Sequence, residues 1–302
     1  MKMKKFFGYA LILGLSIFEG QSYAQTNPTK KDIGVQLYSV RSMMGSDSPS
    51  NENNADYINV LKKLANMGYT GVETANYKDG KFYNTSPSVF KKNVERAGMK
   101  VVSSHASKPL SKEELESGDF SASLKWWESC IAAHKEAGMK YIVTPWLAVP
   151  KTIKELDTEV KYLNEVGKLC RKAGIKYGYH NHAHEFEKVE GQVMLDYMLS
   201  HTDPENVFFE MDVYWTVIGK ASPVDYFKKY PGRFTALHIK DHREIGQSGM
   251  VGFDAIFANT DVAGVKYIFV ELEEVTHDLE TGLKQSIDYL LKAPFVKKSY
   301  SN

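Results

Sequence analysis

One rhythm recurs along this chain after Lys31: a short apolar run, then a stretch with helical spacing, then another apolar run. Eight such runs occur, at 33–38, 71–74, 100–104, 141–144, 175–180, 207–211, 235–239 and 266–270. The stretches between them repeat apolar residues three or four positions apart, as at Ile58, Leu61 and Leu64. This spacing is typical of amphipathic helices. The sequence therefore predicts alternating strands and helices.

Strands separated by helices pair in parallel through crossover connections. Eight such units fit an α/β fold, the closed (β/α)8 barrel or TIM barrel, whose usual length is about 250 residues. A doubly wound open sheet is the alternative, but it usually carries a glycine-rich turn after its first strand. Here the first run continues through Gln36 and Tyr38 without such a turn. We predict a single barrel domain over residues 31–296.

The first residues are typical of a targeting segment. Three lysines in the first five residues precede an apolar stretch at 6–18, and Ser22 and Ala24 are small residues at the positions that a signal peptidase reads. We predict that residues 1–24 are a cleaved signal peptide and that the protein is exported, in a bacterium to the periplasm. An uncleaved anchor is the alternative, although the apolar run is short for a bilayer span.

The overall composition indicates a globular protein without a strongly charged partner. The 302 residues are 43% hydrophobic and 25% charged, and the formal net charge is +1. This balance predicts neither nucleic-acid binding nor membrane association beyond the signal segment. Cys130 and Cys170 lie in separate helical stretches, so we expect two buried thiols, although export would permit a disulfide bond.

Polar side chains stand at the carboxyl ends of nearly every predicted strand. In a TIM barrel, active sites assemble at that end. His180 and His182 should point the same way because strand side chains alternate between faces, although a solvated histidine-rich loop is the alternative. The strand-end residues are Gln36, Tyr38, Glu73, His105, Trp146, His180, His182, Glu185, Asp212, His238, Lys240 and Glu271.

Asp, His and Glu side chains on four successive strands form a mixed set of oxygen and nitrogen donors. Such a set suits Mn²⁺, Zn²⁺, Co²⁺ or Fe²⁺ better than Ca²⁺, which prefers oxygen alone. An apolar strand seldom ends in a charged residue without a partner, because burying an unpaired charge is costly. We therefore predict one divalent metal ion at the barrel mouth.

The chain resembles the sugar phosphate isomerase/epimerase superfamily, the xylose isomerase-like barrels. The resemblance rests on motifs in the family's order, at 34–41, 71–73, 179–182, 212–215, 238–241 and 270–271. It implies that His180, Asp212, His238 and Glu271 bind the metal ion and that His182 serves catalysis. A one-step shift in alignment would exchange the roles of His180 and His182.

The resemblance also implies a reaction beside a carbonyl group. Ketose epimerases of the superfamily use two metal-bound glutamates, whereas only Glu271 of that pair is present here. This asymmetry favours an isomerase, a dehydratase or another lyase. The reaction would pass through an enediolate: Glu271 or His182 moves the proton, and Lys240 stabilises the oxyanion that develops. The residues expected to bind substrate are Gln36, Tyr38, Glu73, His105, Trp146, Glu185 and Trp215.

Export points to a non-phosphorylated sugar, a glycoside or a 3-keto sugar as the carbohydrate substrate. Related barrels often pair, which implies a homodimer. One alternative is a carbohydrate-binding barrel without catalysis. Another is a phosphodiesterase like the apurinic-site endonucleases, but Trp215 replaces one of the histidines that those enzymes carry, and the chain has no basic groove signature.

Overall fold

The computed structural model describes residues 30–44 and 55–301, so the predicted signal peptide lies outside the described part. Eight parallel strands close into a barrel in which each strand pairs with its neighbours in the chain and the last pairs with the first. The predicted TIM barrel is therefore confirmed. The strands are β1 Gly34–Gln36, β2 Gly71–Thr74, β3 Lys100–His105, β4 Tyr141–Thr144, β5 Lys176–His180, β6 Val207–Asp212, β7 Phe234–Ile239 and β8 Tyr267–Val270.

Helices surround this barrel. They are α1 Ala55–Met67, α2 Pro87–Arg96, α3 Lys112–Ser117, α4 Ser121–Glu136, α5 Ile153–Ala173, α6 Met194–His201, α7 Val213–Ile218, α8 Pro223–Lys229, α9 Phe253–Ala258, α10 Thr260–Ala263 and α11 Leu279–Lys292. Short 3₁₀ helices follow β1 at Leu37–Val40 and β5 at His184–Phe186. Within the described residues, no helix combines the length and apolar character needed to cross a membrane. Cys130 and Cys170 are free and buried, as predicted.

The amino-terminal half of the barrel interior is filled with apolar side chains. One buried cluster brings together Val102, Val143, Phe208, Ala236, Tyr267 and Phe269. Room for the large rings comes from small residues opposite them: a Cβ atom on Gly178 would lie 2.5 Å from the Phe208 ring. This packed layer closes the barrel from below, so any ligand must enter from the carboxyl ends of the strands.

Along each strand, the inward-facing side chains are apolar in this layer and polar towards the carboxyl end. On β6, Phe208 is followed two residues later by Glu210 and then by Asp212. On β7, Ala236 is likewise followed by His238 and Lys240. Because successive side chains on one face are two residues apart, the polar residues must stack above the apolar layer.

The first strand ends earlier than the apolar run at 33–38 predicts. β1 ends at Gln36, whose side chain accepts a hydrogen bond from the backbone N–H of Tyr38 at 3.0 Å. This contact caps the 3₁₀ helix Leu37–Val40 and turns the chain out of the sheet. A polar side chain at a strand end thus also serves as a local stop signal.

Candidate metal centre and active-site cleft

Four buried side chains from four successive strands converge at the barrel mouth. His180 ends β5, Asp212 ends β6, His238 lies in β7, and Glu271 directly follows β8. One ligand atom from each lies within 4.8 Å of the others. The parallel register of β6 and β7 pairs Asp212 with His238. The structure therefore brings together the four residues that the sequence assigned to a metal ion.

The two carboxylate oxygens of Asp212 differ in their surroundings: one caps a helix, and the other is available to a ligand. Its Oδ1 accepts a hydrogen bond from the backbone N–H of Trp215 at 2.8 Å and so caps α7. Its Oδ2 is buried without a hydrogen-bond partner among the described residues. Burial raises the pKa of Asp212 to about 7. A buried carboxylate oxygen without a donor is costly, and a cation would compensate it.

His180 also fits a metal ligand. Burial and the neighbouring cationic groups His238 and His105 lower its pKa well below the usual range. The ring is therefore neutral, which is the form that binds metals. Its Nδ1 has no hydrogen-bond partner in the described part of the chain, although Glu210 Oε2 lies 3.4 Å away. Together with the free Asp212 oxygen, this donor set fits a divalent metal ion.

His238 lies between two carboxylates at different depths. Its Nδ1 is 3.3 Å from Glu271 Oε2 on the mouth side, and its Nε2 is 2.6 Å from Glu73 Oε2 below. Gln36 Nε2 donates to the same Glu73 oxygen at 2.9 Å. Gln36 and Glu73 are fully buried and do not line the cleft. Although the sequence suggested that they bind substrate hydroxyls, the structure places them beneath His238.

Glu210 is a member of this buried layer that the sequence reasoning missed. Its Oε2 lies 3.0 Å from His105 Nε2 and 3.2 Å from His238 Nε2. Burial and the neighbouring charge of Glu73 raise its pKa. The available signal was its position two residues before Asp212, which places it on the same inward face of β6.

His105 joins the buried layer to the open cleft. Burial lowers the pKa of this imidazole, but Glu73 and Glu210 outweigh burial and raise it to about 9. The ring is about 5 Å from those of His180 and His238, at centroid distances of 5.2 and 5.3 Å. His105 also lines the cleft, so it places a positive charge at the cleft floor.

The cleft above the four predicted metal ligands, the candidate active-site cleft, has a volume of about 350 Å³. Its lining residues are Tyr38, Ala75, Tyr77, His105, Ala106, Ser107, Pro145, His180, His182, Glu271 and Glu273. Tyr77 belongs to this lining and was missed because it does not lie at a predicted strand end, whereas Glu273, just beyond the end of the eighth predicted strand, was given no role. Tyr38 is 42% exposed at the entrance.

His182 and Lys240 flank Glu271 in different protonation states. Burial lowers the pKa of His182 to about 4, so its imidazole is neutral at pH 7. Burial also lowers the pKa of Lys240, but Glu271, Asp212 and Glu273 outweigh it and keep the amine charged. The Lys240 ammonium lies 3.1 Å from Glu271 Oε2 and 2.8 Å from Glu273 Oε1.

Glu185 lies behind the cleft. Its Oε1 accepts from the Tyr179 hydroxyl at 2.6 Å, and its Oε2 accepts from the backbone N–H of His182 at 2.8 Å. The carboxylate is fully buried and fixes the loop that carries His182. Since it is fully buried and does not line the cleft, it is not placed for the substrate contact that the sequence suggested.

The two tryptophans lie at the edge of the site. Trp146 is 51% exposed, and its ring centroid is 5.7 Å from that of His184. Trp215 lies 5.8 Å from His182 by ring centroids, and the Lys240 ammonium is 5.5 Å from its ring centre. Neither lines the cleft itself, and Trp215 lines a neighbouring groove.

The closed parallel barrel is a TIM barrel, and the buried His and carboxylate side chains at the carboxyl ends of its strands could hold a metal ion. The chain belongs to the xylose isomerase-like TIM barrel family, whose model matches residues 61–293. The superfamily resemblance drawn from the sequence is thereby confirmed.

Solved structures and curated relatives agree with this family. A sugar phosphate isomerase/epimerase from Parabacteroides distasonis ATCC 8503 is 35% identical, with a TM-score of 0.79 over 89% of this chain and 96% of that chain. An inosose dehydratase of Bacillus cereus (strain AH820) is 27% identical over 168 residues, 47% of this chain, and the match spans 53% of its length. A 3-keto-D-glucoside 4-epimerase from E. coli shares the fold, at 19% identity and a TM-score of 0.62 over 87% of this chain and 100% of that chain. The match covers little more than half of the inosose dehydratase, and the likeness to the epimerase is one of fold.

Proposed function

We propose that this protein is a divalent-metal-dependent enzyme that moves a proton next to the carbonyl group of a non-phosphorylated sugar. The outcome is isomerisation, epimerisation or loss of a leaving group. The convergence of His180, Asp212, His238 and Glu271 within 4.8 Å carries this proposal. The orphaned oxygen of Asp212 supports it further, because a buried acceptor without a donor indicates a ligand.

The donor set suits Mn²⁺, Zn²⁺, Co²⁺ or Fe²⁺, with two imidazoles and two carboxylates. When bound, such an ion supplies Lewis acidity that polarises a carbonyl group and makes the neighbouring C–H bond more acidic. Glu73 holds His238 from below, and the α7 cap holds Asp212, so the ligands are positioned by the fold before any ion arrives.

The acid and base groups of the cleft are unlike each other. Glu271 is held as a carboxylate, because His238 and Lys240 outweigh burial and lower its pKa. His182 is a neutral imidazole, which can accept a proton and return it. Two unlike groups suit a reaction in which one removes the proton from carbon and the other donates to a different atom. This asymmetry favours isomerisation or elimination over a symmetric epimerisation.

The cleft favours an uncharged substrate. Among the described residues that line it, none is Lys or Arg, and the carboxylates Glu271 and Glu273 offset the positive charge of His105. Carboxylates disfavour a phosphate group, whereas Tyr38, Tyr77 and the imidazoles suit a sugar ring. A 3-keto sugar or glycoside fits these properties. The similarity to an inosose dehydratase and a 3-keto-D-glucoside 4-epimerase supports the same choice.

The proposal is tested by metal analysis of the purified protein, followed by NMR of a 3-keto-glucoside incubated with it in D₂O. We expect a stoichiometric transition metal and deuterium at one carbon next to the carbonyl, with or without elimination. Glu271→Gln should abolish the exchange, whereas Glu274→Gln, an equal change at an exposed position, should leave it unchanged. A protein that binds sugar without metal and exchanges no proton would be the inactive binding barrel instead.

We also propose that residues 1–24 are removed on export to the periplasm. Support comes from the basic start, the apolar run and the small residues before the predicted cleavage point. Amino-terminal sequencing of the protein from a cell fraction tests this proposal. A mature chain that begins with Gln25 is the expected result, and an intact Met1 on a cytoplasmic protein would contradict it.

A further inference from the structure

A second depression lies beside the active-site cleft, between the loop that follows β5 and the end of α7. We call it the side groove. It has a volume of about 580 Å³, and the residues that form it include His182, His184, Phe186, Trp215, Ile218 and Lys220. His182 lines both the side groove and the cleft, so the two spaces meet at this imidazole. The side groove therefore adjoins the proposed active site.

The backbone at the far wall of the side groove is specialised. A Cβ atom on Gly219 would lie 2.3 Å from the Phe186 ring, so only glycine allows this approach. The next residue, Lys220, has a φ of 60°, a left-handed conformation that is uncommon for a residue with a side chain. Strained residues of this kind concentrate at binding and catalytic sites. The wall is thus held in a conformation that its local sequence does not favour.

The surface of the side groove is largely aromatic and carries no net charge preference. The ring centroids of His182 and His184 are 5.8 Å apart at an interplanar angle of 18°. Trp215 and Phe186 add two larger rings, and Ile218 is 36% exposed. Lys220 and Glu187, also in the lining, carry opposite charges. Such a surface suits the face of a second uncharged ring, which packs on aromatic side chains.

We propose that the side groove binds the group attached to the reacting sugar, so that the substrate is a glycoside with a second ring. This inference rests on the proposed function. The reacting ring occupies the cleft above the metal ligands, the glycosidic bond passes His182, and the second ring lies against Trp215 and Ile218. A free monosaccharide fills only the cleft and leaves the larger space empty.

The test compares the affinities of the manganese-loaded protein for three probes by calorimetry. The probes are the methyl and phenyl 3-keto-β-D-glucosides and the disaccharide with the same keto sugar at its non-reducing end. We expect at least one two-ring probe to bind about tenfold more tightly than the methyl glycoside. A gain for the phenyl probe alone identifies an aromatic aglycone, and a gain for the disaccharide alone identifies a second sugar.

Ile218→Ala should reduce this difference about threefold, because it removes apolar surface from the side groove. Val262→Ala is the matched control: Val262 is 44% exposed on α10, which leads into the opposite end of β8, and the change should leave the difference intact. Equal affinity for all three probes would refute the proposal that the side groove binds a second ring, and it would leave the proposed function standing. If no probe binds the metal-loaded protein, both proposals fail.

Discussion

Replacing Glu73 by Gln should weaken metal binding although Glu73 is not itself a predicted ligand. If His238 binds the metal ion through Nδ1, its Nε2 must carry the hydrogen and donate it to Glu73 Oε2, 2.6 Å away. The same oxygen lies 2.9 Å from Gln36 Nε2 and 3.3 Å from His105 Nε2, so three donors converge on it. A glutamine can place its amide oxygen at this position, but that neutral oxygen accepts from the three donors more weakly than a carboxylate oxygen does.

The size of the effect follows from the charge that is lost. A hydrogen bond to a charged group contributes about 1.5–3 kcal/mol and a neutral one about 0.5–1.5 kcal/mol, so His238 loses about 1 kcal/mol or more of support. Loss of such a partner typically lowers metal affinity by about 10–100-fold. Calorimetric titration of Zn²⁺ or Mn²⁺ into chelator-treated Glu73→Gln protein measures this change directly and does not depend on knowing the substrate.

The control is Glu114→Gln, since Glu114 is also buried but belongs to neither group that could hold a metal ion. Its carboxylate accepts from the backbone N–H of Ser111, which caps α3, and from that of Ser123 in α4. This substitution should lower the free energy of unfolding without changing metal affinity. Circular dichroism of both variants establishes that they fold. The reasoning is refuted if folded Glu73→Gln protein binds the metal ion within twofold of the parent protein.

Two further predictions concern protonation and capping. Burial lowers the pKa of His134 to about 4, below its unfolded value of about 6.5, so His134 stabilises the fold fully above pH 6.5 and loses that contribution as the pH falls towards 4. The contribution amounts to about 3 kcal/mol. Urea unfolding at pH 7 and 4.5 should show that the free energy of unfolding falls less on acidification in His134→Gln than in the parent protein. An identical fall in both proteins would contradict this prediction. Asp212→Asn should weaken metal binding but keep the hydrogen bond from the Trp215 N–H that caps α7. Asp212→Ala should weaken metal binding and also lower the free energy of unfolding by about 1 kcal/mol. Equal melting temperatures of the two variants would exclude the capping role.

The residues at the strand ends could be read from the sequence because of period two. An apolar run that is followed by a polar residue marks both a strand and the direction of its last side chain, as at Asp212 and Glu271. Glu210 was missed although period two places it on the same face as Asp212, because a single carboxylate inside the run Val-Phe-Phe-Glu-Met is typical of an exposed position on a half-buried strand. Only closure of the barrel turns that position into the interior.

Depth along the barrel axis could not be read from the sequence. Glu73 and Glu271 both belong to strand ends, yet Glu73 lies beneath His238 and Glu271 lies above it. The reason is the stagger between tilted strands, which shifts equivalent strand ends to different heights around a barrel. Hence sequence reasoning found the polar residues that share the interior but assigned Gln36 and Glu73 to substrate rather than to support.

Along the barrel axis the side chains form three layers: support, predicted metal ligands and substrate cleft. All three follow from the alternation of side chains along the strands. Glu73, Glu210 and Gln36 form a buried floor, the four predicted ligands lie above it, and the cleft and side groove open above those. A change in the floor reaches the cleft through the predicted metal ligands and through His105, and does not touch the side groove, so it should alter metal affinity while leaving the preference among glycosides unchanged. A change in the side groove should do the reverse. The floor contacts His238 from below, and the side groove contacts His182 from the side. A single variant that changed both the metal affinity and the preference among glycosides would show that the floor and the side groove are not independent.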